Sequence, residues 1–326
     1  ADSTGGLAVG DLDDPDTSDG RPEIVLPGEI NGIVIYDNTG GLLVNARVGR
    51  GVNANPAPSL ANLDGVGMAE VIMGSEVFTL ARGADGALSV VDVFEGSGPQ
   101  GRNGQGPISC VADLVGDARM EIVAGGAAYG LPRPPAGATR IADCDDHPPV
   151  NDEETDFCEG RLTVLWDAGP INDELQRNTD GFCAIADILG ADTEAAPGPQ
   201  NPLDGEPEVI LVSNGKLLIL EAATGALLRR LDLGLGQNGG APNVDDFDGD
   251  GFPEVGSAFG RGYAMIDLQS TGPNCGPWPE RIADGGDLPP ENPPRTPGAE
   301  CAADADCAGE DAVCNPSTGR CVCLHN

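Results

Sequence analysis

An all-β chain assembled from repeated four-stranded blades is predicted by three observations. A short acid-rich loop recurs along the 326 residues, and each copy is closed by a glutamate that opens an apolar run. Gly-centred turns follow these glutamates at a similar distance, and another short apolar run precedes each loop. Gly (49) and Pro (28) are plentiful while aromatic residues make up only 4%, which suits many short strands and tight turns packed through Val, Ile, Leu and Ala.

The closing glutamates are Glu23, Glu70, Glu121, Glu208 and Glu254, at spacings of 47, 51, 87 and 46 residues. They open Glu-Ile-Val-Leu (23–26), Glu-Val-Ile-Met (70–73), Glu-Ile-Val-Ala (121–124), Glu-Val-Ile-Leu (208–211) and Glu-Val-Gly-Ser (254–257). Insertions at roughly 130–160 and 191–203 account for the long third interval. Turns at Asp37-Asn38-Thr39-Gly40-Gly41, Ala84-Asp85-Gly86-Ala87 and Ala223-Thr224-Gly225-Ala226 join apolar runs as hairpins do, and Ser270-Thr271-Gly272 holds the same place in the last unit. The preceding runs are Leu7–Gly10, Ser59–Ala61, Cys110–Ala112 and Ala184–Ala186. One unit therefore reads strand, loop, strand, strand, Gly turn, strand, and four short strands about every 45 residues describe a β-propeller blade.

The fullest loop is Asp246-Phe247-Asp248-Gly249-Asp250-Gly251-Phe252-Pro253-Glu254. Carboxylates at positions 1, 3, 5 and 9, with glycine at position 6, wrap oxygen around a hard cation such as Ca²⁺. Four carboxylates this close repel one another unless a cation sits among them. The spacing is EF-hand-like, but Pro253 and the apolar run at Val255 predict a strand after the loop, and the glutamate falls at position 9 rather than 12.

These loops and strands resemble the FG-GAP/VCBS repeat family, whose calcium-bearing blades also occur in integrin α-chain propellers. The resemblance covers residues 5–272. It implies Ca²⁺ ligation at 246–254 by Asp246, Asp248, Asp250 and Glu254 through side chains and Phe252 through its carbonyl. In the first loop Asp11, Asp13, Asp19 and Glu23 fit if 14–18 bulge out, with Asp14 or Asp16 as substitutes. In the fourth, Asp187, Asp204 and Glu208 straddle the insertion. The second keeps Asn62, Asp64 and Glu70 but has Val66 at position 5; the third keeps Asp113, Asp117 and Glu121 but has Val115 at position 3. The ligand fit is fullest in the fifth loop, then the first, then the fourth. Five units are visible where the integrin type closes a ring of seven, so a seven-bladed design incomplete in this chain is expected.

A net charge of −36, with 17 basic residues of which Lys216 is the sole lysine, leaves nothing to neutralise phosphates. Nucleic acid is thereby excluded as a partner class, and adsorption to anionic lipid is disfavoured. No apolar run is long enough to span a bilayer. The chain starts Ala1-Asp2, without Met or a signal-peptide pattern, as a processed chain or a piece of a longer one does.

Ten cysteines in an acidic chain predict disulfides and a secreted or cell-surface setting. Cys110 and Cys183 occupy the first strand of neighbouring units, a placement that allows a bridge between them. Cys144 and Cys158 bracket an acidic insertion and are expected to staple it. That insertion is either a sixth cation site or a solvated loop, with His147 inside it. Cys301, Cys307, Cys314, Cys321 and Cys323 form an EGF-like or related cysteine-rich segment over 301–326, with Cys275 the nearest partner for the odd one. Residues 273–300, rich in Pro and acids, read as a linker. The Cys-x-Cys-Leu-His ending lacks the haem-attachment spacing, and no paired Cys/His spacing suits zinc.

With His147 and His325 as the only histidines, nucleophilic catalysis of the Ser-His-Asp or Cys-His kind has little to build on. The expected role is a non-catalytic adhesion, ligand-binding or scaffold module outside the cell, with a protein or glycan ligand or copies of itself as partner. A structural subunit of an extracellular filament or surface assembly is the alternative. A carbohydrate-active enzyme using paired carboxylates is a second alternative.

Overall fold

Antiparallel pairing organises almost all the regular structure, and no helix occurs among the described residues. The computed structural model describes residues 5–16, 18–28, 32–47, 56–102, 106–132, 139–141, 156–158, 160–168, 181–193, 195–213, 215–232, 239–247, 251–259, 262–268, 282–284, 312–315 and 320–323. The strands β1 (Ala8–Gly10), β2 (Glu23–Pro27), β3 (Ile33–Tyr36) and β4 (Leu42–Ala46) form the first four-stranded sheet in chain order. The second follows as β5 (Ser59–Ala61), β6 (Glu70–Met73), β7 (Glu76–Arg82) and β8 (Leu88–Glu95). Each has the expected order of strand, loop, strand, strand, Gly turn, strand.

The third sheet keeps its first three strands, β9 (Cys110–Ala112), β10 (Glu121–Val123) and β11 (Ala127–Gly130), and then departs from the pattern. A two-stranded parallel ribbon, β12 (Thr139–Ile141) with β13 (Asp156–Cys158), intervenes before β14 (Thr163–Asp167) completes the sheet against β11. The insertion thus takes the place of a tight turn, and this is why the third unit shows no Gly-turn landmark. His147 and Cys144 lie outside the described residues, as does the linker apart from 282–284.

The fourth sheet is β15 (Phe182–Ala186), β16 (Glu208–Ser213), β17 (Lys216–Glu221) and β18 (Leu227–Asp232); the fifth is β19 (Asn243–Asp245), β20 (Glu254–Phe259), β21 (Gly262–Asp267) and β22 (Ile282–Asp284). β22 comes from within the Pro-rich segment that composition reads as linker. A last hairpin pairs β23 (Ala312–Asn315) with β24 (Arg320–Cys323), setting Cys314 opposite Cys321.

Contacts divide the chain into two units, residues 1–183 with 223–226, and residues 184–222 with 227–326. In the first unit the second sheet is covered on both faces, so the two-residue alternation of its strands feeds two cores. Val71, Met73 and Phe78 pack towards Val25, Ile33 and Ile35 of the first sheet. Ile72 and Val77 pack the other way, towards Ile122, Ala127 and Tyr129 of the third. All four residues of β6 are consequently buried. The first strands β1, β5 and β9 lie side by side, and equivalent backbone bonds tie the sheets together. Ala69 N–H donates to Leu12 O and Met120 N–H to Leu63 O, both at 3.0 Å. Gly6 N–H donates to Pro56 O and Ala57 N–H to Pro107 O in the same way. Cys110 at the start of β9 is bonded to Cys183 in β15, with Cα atoms 6.0 Å apart. In the second unit Ile210, Val212, Leu217 and Ile219 share a core with Val255, Ala264 and Ile266.

Candidate cation loops

Each closing glutamate is a buried carboxylate with one recurring bond. Glu23, Glu70, Glu121, Glu208 and Glu254 are between 2% and 5% exposed. In every loop an Oε of that glutamate accepts the backbone N–H of the residue at position 2. The donors are Leu12 (3.0 Å), Leu63 (2.8 Å), Leu114 (2.9 Å), Ile188 (2.8 Å) and Phe247 (2.7 Å). The glutamate folds back under its loop because it opens a strand whose neighbours point into the core, leaving its carboxyl beside the loop's backbone. Burial pushes Glu70 and Glu208 up to about 7, although the accepted N–H bonds pull the other way. Burial also raises Glu23.

A second bond links position 1 to position 6. Asp113 Oδ2 accepts Ala118 N–H at 2.8 Å, Asp187 Oδ2 accepts Gly205 N–H at 2.8 Å, and Asp246 Oδ2 accepts Gly251 N–H at 3.0 Å. In the second loop the direction is reversed, with Asn62 Nδ2 donating to Gly67 O at 3.1 Å. Burial acts to raise Asp113, but the Ala118, Gly116 and Asp117 N–H groups outweigh it and hold the carboxyl below its ordinary value.

Position 6 turns through the left-handed region in all five loops, with φ of 69° at Gly20, 73° at Gly67, 66° at Ala118, 85° at Gly205 and 94° at Gly251. Four of these residues are glycines; Ala118 bears the same turn against its Cβ. Ala118→Gly is therefore expected to stabilise the protein by about 0.5–1 kcal/mol, the left-handed relief less the extra chain entropy of glycine. Denaturant melts of the two proteins check this, and a loss of stability would contradict it.

The loops differ in how far they suit a cation. Among the described residues no three of the His, Cys, Asp and Glu side chains converge closely enough to hold a metal ion. In the fourth loop Asp187, Asp204 and Glu208 are near enough that Asp187 and Asp204 both raise Glu208. Asp187 Oδ1 is buried and has no hydrogen-bond partner among the described residues, so one lone-pair face of this carboxylate is left for a cation. Asn62 Oδ1 in the second loop is buried in the same condition. Asp204 Oδ1 accepts Glu206 N–H at 2.9 Å. The 191–203 insertion turns back on itself: Asn201 accepts Asp192 N–H and donates to Asp192 O, so positions 1 and 5 are brought together across it.

In the fifth loop Asp246 is exposed, Phe252 half-buried and Glu254 buried, while Asp248 and Asp250 lie outside the described residues. The first loop is different. Asp13 accepts two bonds from Arg82 of the neighbouring sheet, which also reaches Glu23. Asp11 accepts Asp13 N–H and the Ser18 hydroxyl, and Asp19 accepts Arg21 N–H. Neither Arg82 nor Ser18 was expected at this site. The only sequence signal for Arg82 is a basic residue at the mouth of a Gly turn in a chain short of them.

No family model and no curated protein matches the chain. Among solved structures it is similar to the V. cholerae biofilm matrix protein Bap1, at 17% identity and a TM-score of 0.43, with 81% of this chain covering 38% of that one. It is also similar to an Agrocybe aegerita lectin that recognises non-reducing terminal N-acetylglucosamine, at 16% identity and a TM-score of 0.43, over 81% of this chain and 64% of that one. The rhamnogalacturonan lyase YesW is matched at 19% identity and a TM-score of 0.45, over 82% of this chain and 46% of that one. The chain thus spans less than two thirds of the length of each. Likeness at this level assigns neither ligand nor activity.

Proposed function

We propose that the four-stranded sheets are blades of a calcium-binding β-propeller resembling the FG-GAP/VCBS repeats, and that the chain works outside the cell as a non-catalytic binding or scaffold module. Its partner in this reading is a protein or glycan ligand, or another copy of the chain. The observation that carries the reading is the recurrence of one loop architecture five times. A buried glutamate holds position 2 and a left-handed residue sits at position 6 each time, with further acids or an asparagine at some of positions 1, 3 and 5. Local turn formation alone does not demand a buried carboxylate at the end of every loop, because each one is costly to desolvate. A cation offsets that cost and uses the acids at the same time.

Within this reading the fourth and fifth loops are the calcium sites. Asp187, Asp204 and Glu208 would hold one ion, and Asp246, Asp248, Asp250, Glu254 and the Phe252 carbonyl the other. Bound Ca²⁺ supplies rigidity and charge neutralisation to loops that face a ligand. The Cys110–Cys183 bond and a strongly acidic surface agree with an oxidising, calcium-rich environment. No helix among the described residues is long and apolar enough to cross a membrane.

The test is thermal unfolding of the purified chain in millimolar Ca²⁺, in Mg²⁺ and in excess EDTA. Calcium at about a hundredfold over its dissociation constant is expected to stabilise by about 2.7 kcal/mol per site, raising the melting temperature by several degrees. An unchanged melting temperature in EDTA would remove the basis for the calcium-dependent reading. Binding of the calcium-loaded chain to an immobilised glycan panel, with calcium-driven polymerisation followed by sedimentation, separates the ligand-binding role from the filament role.

A further inference from the structure

We infer that the first loop carries its own cation: the Arg82 guanidinium, delivered from the second sheet, occupies the position a metal ion would take, and this loop closes without metal.

Arg82 Nε and Nη2 lie 2.9 and 2.6 Å from Asp13 Oδ1, and Nη2 is 3.5 Å from Glu23 Oε1. Nη1 donates to Gly86 O at 3.2 Å, which fastens the guanidinium to the turn of its own hairpin. The acids it meets are well removed from water, with side-chain exposures of 13% for Asp13 and 7% for Glu23 against 32% for Arg82. Two carboxylates held this way repel each other and are poorly hydrated, and a fixed positive charge between them offsets both costs. The arginine is charged at every accessible pH and cannot be chelated.

The carboxylate oxygens of the first loop are also committed elsewhere. The second oxygen of Glu23 holds Leu12 N–H, Asp11 holds Asp13 N–H and the Ser18 hydroxyl, and Asp19 holds Arg21 N–H. This contrasts with the fourth loop, where Asp187 Oδ1 is buried with no such partner. The delivery of Arg82 follows from hairpin length. The pairing of β6 with β7 ends at Val71 opposite Phe78, and β7 continues past it to Arg82, paired with β8 up to Leu88, so the hairpin reaches the neighbouring loop.

The first loop is thus clamped permanently by an arginine and joined to the second sheet in any medium, unlike the fourth and fifth loops, which in the proposed reading take a cation from the medium. The clamp itself does not require any loop to bind calcium, so it stands or falls separately from the proposed function.

The experiment compares the wild-type full chain with Arg82→Met, which keeps much of the aliphatic stem and removes the charge. Amide hydrogen exchange of β2 and β3 is read in EDTA and again in Ca²⁺. The wild type is expected to protect these amides equally in both media. Arg82→Met is expected to lose protection in EDTA by roughly tenfold to a hundredfold, as removal of one partner from a largely buried ion pair does, and to regain part of it when Ca²⁺ is added. If Arg82→Met does not fold, the triple variant with Asp13→Asn and Glu23→Gln removes the charges together. It is expected to fold and to show no response to Ca²⁺ in the first sheet. Wild-type protection of β2 and β3 that collapses in EDTA, or an Arg82→Met protein as well protected in EDTA as the wild type, overturns the inference. Should the wild type bind no calcium at any loop, the EDTA comparison of the two proteins still decides the clamp.

Discussion

Replacing Cys110 and Cys183 together by alanine is expected to destabilise the protein by about 4 kcal/mol. The bond closes a segment of 73 residues, and the chain-entropy cost of leaving a loop of that length open in the unfolded state gives this magnitude. The segment includes the insertion between β11 and β14, which brings residues of little apolar content into a loop that packing alone must otherwise close. Cys183 is 4% exposed and its sulfur lies 3.6 Å from the Val123 carbonyl, so both the link and its packing are lost. For a chain of this size the expected fall in melting temperature is about 6 °C. The double substitution is the right variant, because a single one leaves a thiol able to exchange with the other cysteines. A loss below about 1 kcal/mol in a denaturant melt would show that the sheets hold this segment unaided.

Much of the strand framework was legible because the two signals that specify it are local. A glutamate followed by three or more apolar residues marks the second strand of the first four sheets, Glu254-Val255 after the fullest loop marks that of the fifth, and the Gly turns mark the β3–β4, β7–β8 and β17–β18 hairpins. The Cys110–Cys183 bridge was legible as well, since the repeat places both cysteines on first strands. What escaped is non-local or irregular. β14 joins its sheet after an insertion that no turn signal can bridge, and β22 comes from a Pro-rich stretch whose composition suggests an extended connector. Arg82 reaches Asp13 across 69 positions of sequence and Glu23 across 59, so only the folded hairpin shows that the first loop has a cation of its own. The acid spacing alone likewise ranks the first loop above the fourth, whereas the unpartnered Asp187 oxygen ranks them the other way. The closing glutamate is a further case: spacing marks it as a ligand, but its other oxygen is committed to the loop backbone in each of the five copies, a structural duty that acid spacing does not reveal.

That duty leads to the second large effect, which depends on pH. Glu70→Ala is expected to cost about 3 kcal/mol at pH 5, where the carboxyl is protonated in the fold. The variant leaves the buried Leu63 N–H without its acceptor, worth about 1–3 kcal/mol, and opens a small cavity beside β6. In the metal-free protein the penalty should shrink as pH rises. Burial lifts the folded-state value of Glu70 from 4.5 to about 7, with Asp64 adding to it, so between these values the folded state binds more protons than the unfolded one. Stability contributed by this group is then full below pH 4.5 and is lost as pH climbs through about 7, with a negative slope across that window. The alanine variant lacks that slope, and the two stability curves converge towards pH 8. Glu70→Gln separates the causes: it keeps an oxygen for Leu63 N–H and removes the charge, so it should cost less than alanine at pH 5 and match or exceed the wild type at pH 8 in EDTA. Denaturant melts of the three proteins at both pH values give the answer. A penalty for alanine that grows with pH would mean that Glu70 is folded as a stabilised anion, and that a positive charge rather than the Leu63 amide is its principal partner in the second loop.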